Sequence, residues 1–186
     1  MSAIARSLID RAISEYGLSR PGTLLNQVNR LMKETLQQID GKTSSNEGFD
    51  GAFCFFDRRS GVLSFAGAKC ALIVIDQTGE TSILEGERKS VGSLRNSLDE
   101  KYQSHIVDLE RKSMFLFSDG VADVMGAESS RLLGKRRLCN LLSKNYRAGI
   151  ASKSLLDSVI RDIEKYGGNR PQRDDMTALL FARKLS

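Results

Sequence analysis

The sequence predicts an α+β fold. Two stretches with apolar residues at helical spacing open the chain, and short β-rich segments separated by turns fill its middle. Two further helical stripes then precede one last apolar strand. Helices grouped on either side of a block of antiparallel strands bury their stripes best on the outside of sheets packed face to face. At 186 residues the chain is expected to form one domain, 1–186, with a core that needs no disulfide.

The elements follow in order. Ile4, Leu8, Ile9, Ala12, Ile13 and Tyr16 form a helical stripe over 2–16 that Gly17 ends. Ser19-Arg20-Pro21 starts a second helix with Leu24, Leu25, Val28, Leu31, Met32 and Leu36 on one face. The polar stretch 40–48 reads as a loop. Strands are expected over 52–56 and 62–66, joined by the turn Asp57-Arg58-Arg59-Ser60-Gly61, and over 72–75 and 81–84 around Asp76-Gln77-Thr78-Gly79. Segments 105–109 and 114–117 continue the β pattern. Leu138, Leu141 and Leu142 mark a short helix; Leu155, Leu156, Val159, Ile160 and Ile163 mark another, stopped by Gly167-Gly168. The last strand is expected over 176–181.

Composition excludes several classes. With 40% hydrophobic and 27% charged residues the chain is an ordinary globular sequence. No run approaches the roughly 18 apolar residues of a membrane span, and no charged-then-apolar signal opens the chain, so a cytoplasmic protein without membrane contact by this segment is expected. Cys54, Cys70 and Cys139 are odd in number and scattered, which reads as reduced core thiols. The net charge is +5, and Arg131, Lys135, Arg136, Arg137, Lys144 and Arg147 form a run without an acid among them. No aromatic residues interleave with that run as a stacking platform requires, so no nucleic-acid partner is expected and the run reads as a solvated helix face. His105, the single histidine, lies in a strand-like segment with no nucleophile motif to serve.

Two acidic stations remain. Ser118-Asp119-Gly120 follows the apolar run Met114-Phe115-Leu116-Phe117, and Arg173-Asp174-Asp175-Met176-Thr177 precedes Ala178-Leu179-Leu180-Phe181. Carboxylates at strand ends sit on rigid backbone, where they can be held close enough to share a hard cation. Magnesium and manganese take oxygen ligands from few carboxylates and complete their shells with water.

These stations, together with Phe49-Asp50-Gly51-Ala52, the run from Asp57 to Ala68 and Lys89-Ser90-Val91-Gly92, resemble the SpoIIE/RsbU branch of the PPM (PP2C-like) serine/threonine protein phosphatases. The segments Gly48 to Gly51 and Ser90 to Gly92 look most like SiaA-type members. The resemblance implies a PP2C-like α-β-β-α sandwich of antiparallel sheets flanked by helices. It implies a two-metal mechanism with Mn2+ or Mg2+, two ions in the complete domain, in which a water activated by the cations attacks a phosphoserine or phosphothreonine in line. By position Asp119 and Asp174 match metal ligands, with Asp175 the alternative because a one-residue shift decides which carboxylate points inward. Gly120 lets the backbone pass close to that site. The implied substrate is a small phosphorylated regulator in bacterial signalling, of the STAS anti-sigma-factor-antagonist or SiaC-like type. The equivalent helices of related phosphatases also dimerise, so a homodimer is compatible with the sequence.

One departure matters. The family carries an earlier metal-binding Asp, in an acidic-Gly segment followed by a Gly-His-Gly loop, just before its first long helix. This chain begins at Met1-Ser2-Ala3-Ile4, which is similar to that helix itself. The expectation is therefore an N-terminally incomplete domain, the C-terminal portion of the full one. Without a bridging carboxylate to offset cation repulsion, weak metal binding and low activity follow. The alternative is an inactive pseudophosphatase or fragment serving as a protein-binding module.

Overall fold

In a computed structural model, which describes residues 2–40, 48–93 and 95–182, the chain runs through five helices and seven strands. They are α1 (Ser2–Tyr16), α2 (Pro21–Asp40), β1 (Gly51–Asp57), β2 (Val62–Ala68), β3 (Leu72–Ile75), β4 (Thr81–Leu84), β5 (His105–Asp108), β6 (Ser113–Phe117), α3 (Asp119–Ala122), α4 (Gly134–Asn145), α5 (Ser152–Gly167) and β7 (Ala178–Ala182). Every strand pairing is antiparallel. Of the loop expected over 40–48, residues 41–47 lie outside the described residues and Asp40 closes α2. No helix among the described residues is long and apolar enough to cross a membrane.

Contacts divide the chain into two compact units, each discontinuous in sequence: Met1–Cys70 with Glu85–Asp108, and Ala71–Leu84 with Leu109–Ser186. The first holds the sheet β1-β2-β5. β1 and β2 form a hairpin from Gly51↔Ala68 to Asp57↔Val62, and β5 adds to β2 at Phe65↔His105. Its turn is made by Asp57, whose Oδ1 accepts from the Arg59 amide at 2.9 Å and whose Oδ2 accepts from Ser60 Oγ at 2.9 Å. These bonds, the Arg59 amide first, hold the Asp57 carboxyl below its usual value.

Helices α1 and α2 cover this sheet. Leu8 and Ala12 meet Leu24, Leu25, Val28 and Met32, and the α2 stripe packs on Ala66 and Ala68. Gly17, at φ +72°, ends α1 with its amide bonded to Ile13 O at 2.9 Å. On α2, Asn29 and Lys33 are buried polar residues directed at one loop. Asn29 Oδ1 accepts from Gly92 N at 2.9 Å, and its Nδ2 donates to Ser97 O at 3.2 Å. Lys33 Nζ donates to Ser93 O at 3.1 Å and to Asn96 O.

The second unit holds the sheet β4-β3-β6-β7. Ile73 and Ile75 of β3 and Phe115 and Phe117 of β6 share one face through strand alternation, with the two phenyl rings 5.7 Å apart. Helices α4 and α5 bury Leu138, Leu142, Leu155, Val159 and Ile163 against that face. Each such side chain contributes about 1.5–3 kcal/mol through burial.

Asp119 opens the single-turn helix α3. Two expectations need correction. The last strand begins at Ala178, not Met176, because the Thr177 amide bonds to a side chain, Ser118 Oγ, instead of continuing the ladder. Of the three thiols only Cys139 is a buried core residue; Cys70 is intermediate and Cys54 exposed. Phe53 faces the helices, and alternation along β1 turns Cys54 to the other side.

Candidate metal centre

Strands β6 and β7 are hydrogen-bonded neighbours running in opposite directions, so the residues after β6 and those before β7 lie at one end of the ladder. That register, Phe117↔Ala178, brings the two acidic stations together. The Ser118 amide donates to Thr177 O at 2.9 Å, which carries the pairing one residue past the regular strands.

Ser118 occupies the position before α3, yet its side chain makes no cap bond to that helix. Its Oγ instead accepts from the Thr177 amide at 3.0 Å and donates to Asp175 O at 3.1 Å. One hydroxyl therefore fixes the backbone on both sides of Met176 relative to Asp119. Gly120 is buried, and a Cβ there would stand 2.3 Å from Asp175 O and 3.3 Å from Asp174 O. The glycine thus lets the two acidic segments approach more closely than any side chain would allow.

The three carboxylates, Asp119, Asp174 and Asp175, are exposed. Asp119 Oδ1 accepts from the Gly120 amide at 2.9 Å, and Asp174 Oδ1 accepts from the Asp175 amide at 2.8 Å. Each bond orients its carboxylate from its own backbone. Gln172 Nε2 donates to Asp174 O at 2.6 Å and braces the approach to the second station. The donors are all hard oxygens, which fits a magnesium- or manganese-type ion that keeps several waters. Among the described residues no cluster of three or more His, Cys, Asp or Glu side chains able to hold a metal is formed.

Beside the stations lies a cavity of about 160 Å³, lined by Gly120, Val124, Met125, Ile163, Arg173 and Met176 among others. The residues between and around the aspartates thus also wall a partly apolar recess.

The remaining sequence motifs meet in the first unit. Phe49 and Val91 exchange backbone bonds of 3.0 and 2.9 Å, and the Lys69 amide donates to Glu87 O at 2.6 Å. Lys69 Nζ lies 3.5 Å from Asp50 Oδ2 in a half-exposed ion pair. His105 is half-buried on β5, its ring 6.1 Å from that of Phe65, and belongs to the unit that does not contain the stations. Sequence reasoning missed Ser118 as the clamp; the signal available was a hydroxyl residue standing between a strand and the first acidic station.

The model of the SpoIIE family, stage II sporulation protein E, matches residues 1–184. A search of curated proteins finds no match. Among solved structures, the chain is similar to the SiaA-PP2C domain of Pseudomonas aeruginosa, with 28% identity and a TM-score of 0.82 over 98% of this chain and 69% of that one. The PP2C phosphatase domain of SpoIIE from Bacillus subtilis, solved with a fragment of its regulatory domain, shares 11% identity at a TM-score of 0.67, covering 96% of this chain and 48% of that one. The catalytic domain of the serine/threonine protein phosphatase PstP, in complex with 2 manganese ions, shares 12% at a TM-score of 0.59, covering 96% and 80%. The last two likenesses speak to the fold alone.

Proposed function

Since this chain belongs to the stage II sporulation protein E family and has its PP2C-like fold, we propose that it is a metal-dependent phosphatase domain acting on phosphoserine or phosphothreonine of a small regulatory protein. The observation that supports this most directly is the β6–β7 register, which sets Asp119 and Asp174 at one end of one ladder, with Ser118 bonded across to Asp175 O. Mn2+ or Mg2+, held there by Asp119 and Asp174, with Asp175 the alternative, would supply a Lewis acid that offsets phosphoryl charge and lowers the pKa of water. The chain's own residues hold the carboxylates in place: the Gly120 and Asp175 amides orient them, and Ser118 keeps the two backbones in register. The exposed position of the stations suits a substrate residue displayed on another protein. The partner, by resemblance, is an anti-sigma-factor-antagonist or SiaC-like regulator in cytoplasmic bacterial signalling.

The test is hydrolysis of a phosphoserine peptide by the purified chain with and without manganese, beside Asp119→Asn and Asp174→Asn. Weak manganese-dependent turnover that either substitution removes is the expected result. Turnover that persists without manganese, or in both variants, would overturn the assignment.

A second reading has its own observation. Only the two stations contribute carboxylates, and no third ligand joins them among the described residues. A domain with so few ligands also suits a pseudophosphatase that binds its partner without catalysis. Partner binding unchanged by Asp119→Asn and independent of manganese would favour it.

A further inference from the structure

Two residues of the basic run that the proposed activity leaves unused, Arg137 and Lys144, line a groove in the second unit. Helices α4 and α5, with the loop 126–133, enclose about 520 Å³. Arg137 and Lys144 reach it from α4 and Lys165 from α5. We propose that this groove docks an acidic segment of a partner protein.

The cations are placed for such a ligand, not dispersed over a solvated face. Arg137 Nη1 donates to Leu132 O at 2.9 Å and also reaches Leu133 O at 3.5 Å, so its guanidinium is held in position while its other N–H groups remain for a ligand. A fixed guanidinium loses less freedom on binding than a mobile one. Two acids also line the groove, Glu128 and Asp162. Asp162 is offset by a cation of the same groove: Lys144 Nζ lies 3.2 Å from its Oδ2, and Asn145 Nδ2 donates to the same oxygen at 2.9 Å. That leaves Arg137 and Lys165 against Glu128 as the charges a ligand would meet, and Arg136 adds another exposed cation on α4. The floor carries Leu133, Leu141 and the Tyr166 ring, so a segment mixing carboxylates with an apolar residue is complementary to it. Nucleic acid fits less well, since the single half-buried Tyr166 ring is no platform on which successive bases could stack. The groove contains none of the acidic stations, so docking is independent of metal at Asp119 and Asp174.

The experiment uses the full chain and a short fluorescein-labelled peptide of glutamates and leucines, read by anisotropy at physiological salt without metal. Saturable binding is expected, and Arg137→Glu with Lys165→Glu should weaken it about tenfold or more. The same charge change made in the β1–β2 turn, Arg58→Glu with Arg59→Glu, should leave affinity within about twofold. Should the reversed variant fail to fold by circular dichroism, Arg137→Gln with Lys165→Gln replaces it, with a smaller loss in the same direction. Equal weakening by the turn control, no binding at all, or displacement of the peptide by duplex DNA or phosphatidylserine vesicles would overturn the proposal. Phosphatase activity bears on none of these readings, so failure here is distinct from failure of the catalytic assignment.

Discussion

The Ser118 hydroxyl is hydrogen-bonded to the main-chain oxygen of Asp175 at 3.1 Å, across 57 residues of sequence. The Ser118 Oγ itself accepts from the Thr177 amide at 3.0 Å, so a single side chain spans the junction between the two acidic stations. Ser118→Ala removes both bonds and leaves the Thr177 amide without its partner. The expected cost is about 1–2 kcal/mol in urea denaturation, as for a hydrogen bond lost with a donor left unpaired. Manganese affinity, read by calorimetry, should fall with it, because the relative placement of Asp119 and Asp174 depends on this clamp. Loss of stability with unchanged metal affinity would show the clamp to be structural only.

Gly120→Ala tests the close approach of the segments. The added methyl would lie 2.3 Å from Asp175 O, a backbone atom that no rotamer change can move. Either α3 or the Asp174–Asp175 segment must shift, at roughly 1–3 kcal/mol by analogy with overpacked sites. A melting temperature equal to that of the unaltered chain would mean that the segment yields freely.

The sequence made much of this legible, and the failures have physical causes. Leu155, Val159 and Ile163 recur at a helical spacing and all are buried, because α5 presents one stripe to one sheet. The strands β3 and β4 were readable to the residue, since the turn at Asp76 separates two short β-rich segments. The start of β7 was not: it is decided by where a side chain 59 residues away captures the Thr177 amide, which periodicity does not record. The stations were visible as strand-end aspartates, but their meeting depends on β6 and β7 being ladder neighbours, a long-range pairing. The burial of Lys33 was equally hidden, because its partners are carbonyls of a loop 60 and 63 residues on.

Lys33 gives a third prediction. Its ammonium is buried on α2 and donates to Ser93 O and Asn96 O, and burial draws its pKa below the usual lysine value. Lys33→Met keeps the apolar stem but strands both carbonyls. The expected loss is about 1–3 kcal/mol, with faster amide exchange across residues 95–97 than in the unaltered chain. A more stable variant would show instead that desolvating the ammonium costs more than its hydrogen bonds return.

The acid limb of stability supplies the last prediction, and its sign follows from Asp162. The Asn145 amide chiefly, and Lys144 after it, hold this carboxyl below its ordinary value of 3.8. A group whose folded pKa is depressed contributes stability above its unfolded pKa and loses it as pH falls through the folded one. Folding of the second unit should therefore weaken from just under pH 3.8 downward as Asp162 takes up its proton. Removing the main cause with Asn145→Ala should move the carboxyl's titration upward by carbon-detected NMR, and the acid unfolding midpoint upward with it. Lys144→Gln should shift both in the same direction but less, since its bond to Oδ2, at 3.2 Å, is the longer of the two. An unfolding midpoint that ignores Asn145→Ala, while the carboxyl titration moves, would place the acid-sensitive step elsewhere in the chain.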